Sequence, residues 1–168
     1  ADADYDGIYL TYSFYNATAT YDYAWFNASK LTPMTSAGQS AVRNALDQIE
    51  KFTNLNFIEV TEESGSVGDL RFTMADSTVM DNALGFAFLP GTDAKFDTQA
   101  SADGDVFFRE YTDAQFSDSG SEAFYTVIHE IGHALGLAHP FHAGEQNPNF
   151  TFADDYAVGQ ATRDSSVY

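Results

Sequence analysis

The chain has 168 residues, with 25 acidic against seven basic side chains and a net charge of −18. A hydrophobic content of 44% excludes a wholly disordered protein, and the length fits one domain with a real core. So acidic a surface repels nucleic acid and anionic membranes, and no apolar run reaches the roughly 18 residues of a membrane span. Neither nucleic acid nor membrane insertion is therefore expected. The chain has no cysteine, so there is no disulfide framework.

The first part of the chain predicts a strand, a long connection and a helix. Residues 8–15 are β-branched and aromatic, which is typical of a strand. Residues 16–33 show no period and are expected to form a loop packed on the domain. The S-x-x-Q pattern at Ser36 predicts a capping box that opens a helix ending near residues 53–54. The buried stripe of this helix is expected to comprise Val42, Ala45, Leu46, Ile49 and Phe52.

Four more strands and a second helix are predicted after this helix. The strands are expected at residues 55–61, 69–74, 84–89 and 105–109, separated by clusters of Gly, Ser and Asp. The S-x-x-E pattern at Ser119 predicts a capping box for the second helix. Its buried side is expected to comprise Phe124, Val127, Ile128, Ile131 and Leu135. The order predicts an α+β domain: a mixed, twisted, five-stranded sheet with a backing helix and a histidine-bearing helix.

That second helix carries the most informative motif of the chain, H-E-x-x-H-x-x-G-x-x-H, over residues 129–139. His129 and His133 are four residues apart and so project from one helical face. Gly136 can take a left-handed conformation that ends the helix and turns His139 back towards them. Three imidazoles converging on one point are the ligand set of a catalytic zinc with one open position, and Glu130 can stand beside the metal as a base.

With Pro140 following the third histidine, the motif resembles that of the metzincin zinc endopeptidases, in their serralysin-like branch of secreted bacterial proteases. The resemblance runs from about residue 8 to residue 168. It implies one catalytic zinc held by His129, His133 and His139, and peptide-bond hydrolysis by a zinc-activated water with Glu130 as general base. It also implies an extracellular location, protein or peptide substrates, and a proteinaceous inhibitor as a further partner.

A second segment bears on substrate binding. Pro90 ends the predicted strand at residues 84–89, which is typical of a sheet edge. In metzincins the corresponding edge strand borders the cleft, and an extended peptide adds to it in antiparallel fashion. The resemblance therefore implies substrate binding, with a purely structural strand as the alternative. The residues concerned are Phe86, Ala87, Phe88 and Leu89.

The end of the chain leaves two hypotheses about function open. Metzincins continue from a run like residues 163–168 into a turn with a Met beneath the metal, and the chain stops just before it. Residues 1–168 are therefore expected to be one catalytic domain without its C-terminal part. The alternative is a non-catalytic, metzincin-like binding or structural module of a larger acidic surface protein. Glu130 favours the enzyme, since a module kept for zinc alone needs no base.

This sequence does not support a calcium-binding site, although a longer protein that contains it could bind calcium. Residues 2–7 begin like a calcium loop, but Ser13 stands where its bidentate Glu would be. Asp103 and Asp105 could form a ligand pair, although a simple turn is the alternative. The calcium-binding repeats of the family are not in this sequence. His142 is expected to be an exposed side chain and not a metal ligand.

Overall fold

A computed structural model of the chain describes residues 7–18, 28–64, 66–90 and 103–139. The strands are β1 Ile8–Phe14, β2 Leu31–Thr32, β3 Leu55–Glu59, β4 Leu70–Ala75, β5 Gly85–Ala87 and β6 Asp105–Arg109. The helices are α1 Ser36–Glu50, α2 Ser77–Met80, α3 Asp113–Ser117 and α4 Glu122–Ala134, with a single 3₁₀ turn at Ala28–Lys30. Among these residues, no helix is long and apolar enough to cross a bilayer.

The strands form one mixed sheet in the order β3-β1-β4-β6-β5. The pairs β3–β1, β1–β4 and β4–β6 are parallel, whereas β5 runs antiparallel to β6 at the edge of the sheet. The two-residue strand β2 pairs with the end of β4. The predicted α+β class is confirmed, and a short sixth strand joins the five that were predicted.

The sheet separates two hydrophobic clusters. The larger lies between the sheet and helices α1 and α4, around Phe72, Phe108 and Val127. The smaller lies on the opposite face, around Phe107 and Met80. Every residue of β4 is buried, as expected of a strand in the centre of a sheet covered on both faces.

A buried ion pair fixes the loop after β3 to the second face of the sheet. Arg71 on β4 donates from Nε and Nη2 to the two carboxylate oxygens of Glu62, at 2.6 and 3.0 Å. The hydroxyl of Ser13 on β1 donates to the same carboxylate at 3.2 Å. The side chains of Arg71 and Glu62 are 4% and 0% exposed, so water does not weaken their interaction.

Both predicted helices are present, but their predicted caps are wrong. The N-cap of α1 is Thr35 rather than Ser36, because the Thr35 hydroxyl accepts from the Gly38 N–H. The N-cap of α4 is Ser121 rather than Ser119, which lies in the turn between α3 and α4. The true capping box belongs to the unpredicted helix α3, between Thr112 and Gln115.

The predicted burial of two residues, Phe52 and Ile128, is also wrong, in both cases for a geometric reason. Helix α1 ends at Glu50, and the following turn directs Phe52 into solvent, where it is 86% exposed. On α4, Ile128 is 44% exposed, whereas Thr126 and Glu130 are buried. The buried face of α4 is thus rotated from the predicted one, because the helix packs against β5 as well as β6.

The remaining strand predictions differ mainly at the ends. Strands β3 and β5 are shorter than the predicted residues 55–61 and 84–89, and β6 is as predicted. Strand β2 lies in a stretch that was predicted to be a loop. The predictions for residues 2–6, Pro140, His142 and 163–168 lie outside the described residues.

Candidate metal centre and active site

Helix α4 presents the histidine pair and ends in a turn that returns the third histidine. The Leu137 N–H donates to the Gly132 carbonyl at 2.9 Å, and the Gly136 N–H donates to the His133 carbonyl at 2.8 Å. Gly136 has φ +97°, as predicted, so the two bonds form a Schellman motif with a left-handed residue at its centre. The chain then reverses and brings His139 to the metal-facing side of the helix.

The three histidine side chains converge on one point. Their Nε2 atoms are 3.0 Å apart for His129 and His139, 3.1 Å for His133 and His129, and 2.7 Å for His133 and His139. A single ion can contact all three at the roughly 2.0–2.1 Å of a zinc–imidazole bond. The three residues therefore form a candidate zinc site.

The tautomer of His133 supports this interpretation. Its Nδ1 lies 2.6 Å from the Leu137 carbonyl oxygen, and a carbonyl can only accept. Nδ1 therefore carries the proton and donates, which leaves Nε2 with its lone pair directed at the common point. Sequence analysis had not identified Leu137 as the outer acceptor. The glycine at position 136 was the sequence feature that could have indicated this acceptor. A Schellman turn centred on that glycine folds the carbonyl of residue 137 back over the helix end.

Glu130 follows His129 directly on α4 and has an unusual environment. The residue is 5% exposed, and its Oε2 has no hydrogen-bond partner among the described residues. Burial raises the pKa of Glu130 to about 8. A buried carboxylate oxygen without a partner is costly in a purely structural residue, and it fits a group that holds a water or a proton beside a metal.

Burial also changes the pKa of His129. It lowers the pKa of His129, and the nearby charge of His133 lowers it further. A lowered pKa keeps the imidazole neutral, and the neutral form is the one that binds a metal. The electrostatics of the pocket therefore favour the ligand form of His129.

The edge strand β5 lies directly against the helix that carries Glu130. A methyl carbon placed at Gly85 would lie 2.7 Å from Glu130 Cγ and 2.8 Å from Thr126 Cγ2. Ala87 packs on the larger hydrophobic cluster, to which α4 contributes. Sequence analysis had not identified Gly85 or Thr126, because their proximity depends on how the strand crosses the helix.

The aromatic side chains of Phe86 and Phe88 lie on the face of the sheet opposite α4. Phe86 stacks on Phe107 with ring centroids 4.6 Å apart, and Phe88 meets Phe107 edge-on at 6.1 Å. Both rings belong to the smaller cluster, on the face opposite α4. The rings of Phe86 and Phe88 therefore do not lie on the side of the sheet that faces α4.

The predicted turn at residues 103–105 is confirmed, with Gly104 at φ +82°. Burial raises the pKa of Asp105 well above its usual range, which disfavours the charged form that calcium requires. Within the described residues, neither Asp103 nor Asp105 belongs to a cluster of three or more metal-ligand side chains.

Taken together, an H-E-x-x-H helix, a histidine returned by a glycine turn and an antiparallel edge strand define a zinc metallopeptidase type of site. The chain belongs to the matrixin family of peptidases, whose family model matches residues 11–155.

Relatives agree with this assignment. The chain is 31% identical to Metallopeptidase AprA of Pseudomonas marginalis, over 98% of the chain and 34% of that protein. It is 32% identical to Serralysin C of Dickeya chrysanthemi, over 84% of the chain and 27% of that protein. The chain thus spans about a third of the length of these curated relatives. The structure of myroilysin is similar in fold, with a TM-score of 0.51 at 20% identity, covering 80% of this chain and 50% of that one.

Proposed function

We propose that this chain carries the catalytic site of a secreted, zinc-dependent endopeptidase of the serralysin-like type. The observation that carries the proposal is the meeting of three histidine Nε2 atoms within 3.1 Å of one another. The residue after His129 is a buried glutamate, Glu130, whose Oε2 has no described partner. Residues 1–168 are proposed to be one catalytic domain. Protein or peptide substrates, a proteinaceous inhibitor and an extracellular location are parts of the same proposal.

Each side chain has a defined role in the proposed reaction. His129, His133 and His139 bind the ion, and the Leu137 carbonyl orients the His133 ring. A zinc ion held there supplies a Lewis acid that polarises the scissile carbonyl and acidifies a water. Glu130 accepts a proton from the attacking water and then passes it to the leaving amine. Burial raises the pKa of Glu130 to about 8, which makes its carboxylate a stronger base towards the water.

The substrate is proposed to lie along β5 as an added antiparallel strand. The Phe88 N–H donates to the Asp105 carbonyl and its carbonyl accepts from the Gly104 N–H, so this residue faces β6. Because backbone groups alternate along an antiparallel strand, those of Ala87 face the outer edge. Among the described residues, no strand pairs with that edge. The segment from Phe86 to Leu89 is therefore proposed to hold the peptide through the outward-facing backbone groups of Ala87.

The test is cleavage of a quenched-fluorescence peptide library, with bound zinc quantified in the same samples. The Glu130→Gln variant is expected to keep one zinc per chain and to lose roughly 10²- to 10⁴-fold in kcat. Glu122→Gln is the matched control, because Glu122 is an exposed glutamate on the same helix and should leave kcat unchanged.

Chelation of the parent protein should abolish turnover, and added zinc should restore it. Zinc bound by the parent without any cleavage would contradict the enzyme and favour the non-catalytic module. Absence of zinc binding would contradict the assignment of the three histidines.

A further inference from the structure

The contact between Gly85 and Glu130 is not explained by the proposed roles of the histidines or of the edge strand. Gly85 opens β5 and pairs with Phe108 of β6. It faces α4 at the turn of helix that contains Thr126 and Glu130. No positive φ requires a glycine at this position, so the reason for the missing side chain is space and not backbone conformation.

From this packing we infer that Gly85 is a positioning residue for the general base: its missing side chain leaves the space in which the Glu130 carboxylate is held. A Cβ at position 85 would lie 2.7 Å from Glu130 Cγ and 3.0 Å from Glu130 Oε1. Both distances are well below ordinary van der Waals contact. This inference rests on the proposed function, in which Glu130 is the base.

The helix side of this space is rigid. The Thr126 hydroxyl donates to the Glu122 carbonyl at 2.8 Å, and the Tyr111 hydroxyl lies 3.3 Å from Thr126 Oγ1. These two contacts fix the rotamer of Thr126 and hold its Cγ2 methyl towards Gly85, 2.8 Å from where a Cβ would stand. The methyl therefore cannot turn away cheaply.

The strand side is also held in place. The Arg109 N–H donates to the Leu84 carbonyl at 3.1 Å, next to Gly85. Phe86 stacks on Phe107, which is fully buried, so the strand cannot retreat without opening the smaller cluster. Of the groups around this space, the Glu130 side chain is the one that can move, because its Oε2 has no described hydrogen bond to hold it in place.

A methyl group at position 85 is therefore expected to displace the carboxylate rather than the strand or the helix. General-base catalysis requires the carboxylate within hydrogen-bond reach of the attacking water, and an error of about 1 Å can cost roughly 10²-fold in rate. The histidines lie outside this contact, so zinc binding should persist.

The experiment compares the zinc-loaded parent with Gly85→Ala. We expect kcat to fall roughly 10- to 100-fold, with KM changed less than about twofold and zinc affinity and Tm close to those of the parent. Gly120→Ala is the matched control, because a Cβ there would meet nothing closer than Asp118 Oδ1 at 3.4 Å. This variant should retain full kcat.

A second substitution tests the same space from the helix side. In the Gly85→Ala/Thr126→Ser double variant the Cγ2 methyl is removed and the hydroxyl is kept, so kcat should recover in part. Thr126→Ser alone removes a methyl group from the same space without crowding the strand, so it should lower kcat by a smaller factor than Gly85→Ala and leave zinc affinity unchanged. These variants keep the inference testable even if Gly85→Ala folds poorly.

The inference and the proposed function can fail separately. An unchanged kcat in Gly85→Ala, a rise in KM alone, or a loss of zinc would each overturn the positioning role. If the parent cleaves no peptide, the proposed function fails, and the crystal structure of zinc-loaded Gly85→Ala decides the inference by itself. A shifted Glu130 with the strand in place would support it, and an unmoved Glu130 would overturn it.

Discussion

Burial acts in opposite directions on the ionisable side chains of α4. It raises the pKa of Glu130 to about 8 and lowers the pKa of His129. Both shifts favour the neutral forms of the two side chains. A bound dication would instead favour the Glu130 carboxylate through its own charge.

The first prediction at this scale concerns the acid limit of zinc binding. Because each imidazole must be neutral to bind, protons compete with zinc as pH falls below the usual histidine pKa of about 6.5. The lowered pKa of His129 should keep its imidazole neutral at a more acidic pH than that of an ordinary histidine. We expect zinc affinity to be nearly constant above about pH 7 and to fall steeply below about pH 6.5.

A chromophoric chelator in competition, titrated at each pH, measures this affinity. His139→Gln serves as the comparison, because it removes one competing imidazole and should both weaken binding and flatten the pH dependence. An affinity of the parent that is the same at acid and neutral pH would contradict ligation by imidazole.

The second prediction compares two Arg–Glu pairs that share geometry and differ in exposure. Glu62 pairs with Arg71 in the interior, whereas Glu59 pairs with Arg43 with side chains 39% and 38% exposed. Glu62→Gln removes a buried carboxylate that accepts two hydrogen bonds from Arg71, and it should lower the free energy of unfolding by about 3 kcal/mol. Glu59→Gln acts on a screened surface pair and should cost less than about 1 kcal/mol.

Urea unfolding at equal zinc saturation measures both losses. The contrast should persist at high salt, because the buried pair is shielded from screening. Equal losses for the two variants would show that the interior pair contributes no more than the surface pair.

At the scale of secondary-structure elements, the end of α4 decides where the third histidine lies. Gly136 holds φ +97°, which a residue with a Cβ adopts only at a cost of roughly 1–2 kcal/mol. Gly136→Ala should therefore lower both the free energy of unfolding and zinc affinity, because the strained turn displaces His139. Gly132→Ala, at the third residue from the C-terminal end of α4 and with no contact closer than 3.6 Å, should be neutral or stabilising.

Isothermal titration with zinc, combined with urea unfolding, separates the two effects. Zinc affinity that is unchanged in Gly136→Ala would mean that His139 reaches the metal without the Schellman turn.

The exposed edge of β5 leads to the fourth prediction. If a peptide pairs with this edge, its backbone N–H groups contact the strand at every second residue. A series of substrates, each N-methylated at one position, should show raised KM at alternate positions and little change between them. Each lost hydrogen bond of about 0.5–1.5 kcal/mol corresponds to roughly a 2- to 10-fold rise. A uniform response along the series would contradict strand addition.

Element boundaries also show where sequence patterns lose precision. Thr35 and Ser36 are adjacent hydroxyl residues, so the pattern alone does not decide which one caps α1. The same ambiguity exists around Ser119 and Ser121, and there the unpredicted helix α3 occupies the preceding residues. Helices of four or five residues have too few apolar positions to show a period, which explains why α2 and α3 were missed.

At the scale of the whole molecule, the candidate zinc site was predictable because its three histidines lie within one helix and the turn after it. Local geometry is enough to bring residues 129, 133 and 139 together. The contacts between Gly85 and Glu130 and between Arg71 and Glu62 depend on sheet order and register. Those are properties of the assembled fold, and no pattern within a short window encodes them.

The last prediction follows from coupling between the metal and the fold. The three histidines meet only when α4 and its terminal turn are formed, so zinc binds the folded state in preference to the unfolded one. At a free zinc concentration about 100-fold above Kd, this should add about 2.7 kcal/mol to the free energy of unfolding. For a domain of this size that corresponds to a rise in Tm of roughly 5–10 °C. Glu130→Gln should retain the whole rise, whereas His133→Ala should lose it, and magnesium in place of zinc should produce none. Differential scanning calorimetry over a zinc titration measures the shift. A zinc-dependent rise that survives His133→Ala would place the stabilising ion elsewhere in the molecule.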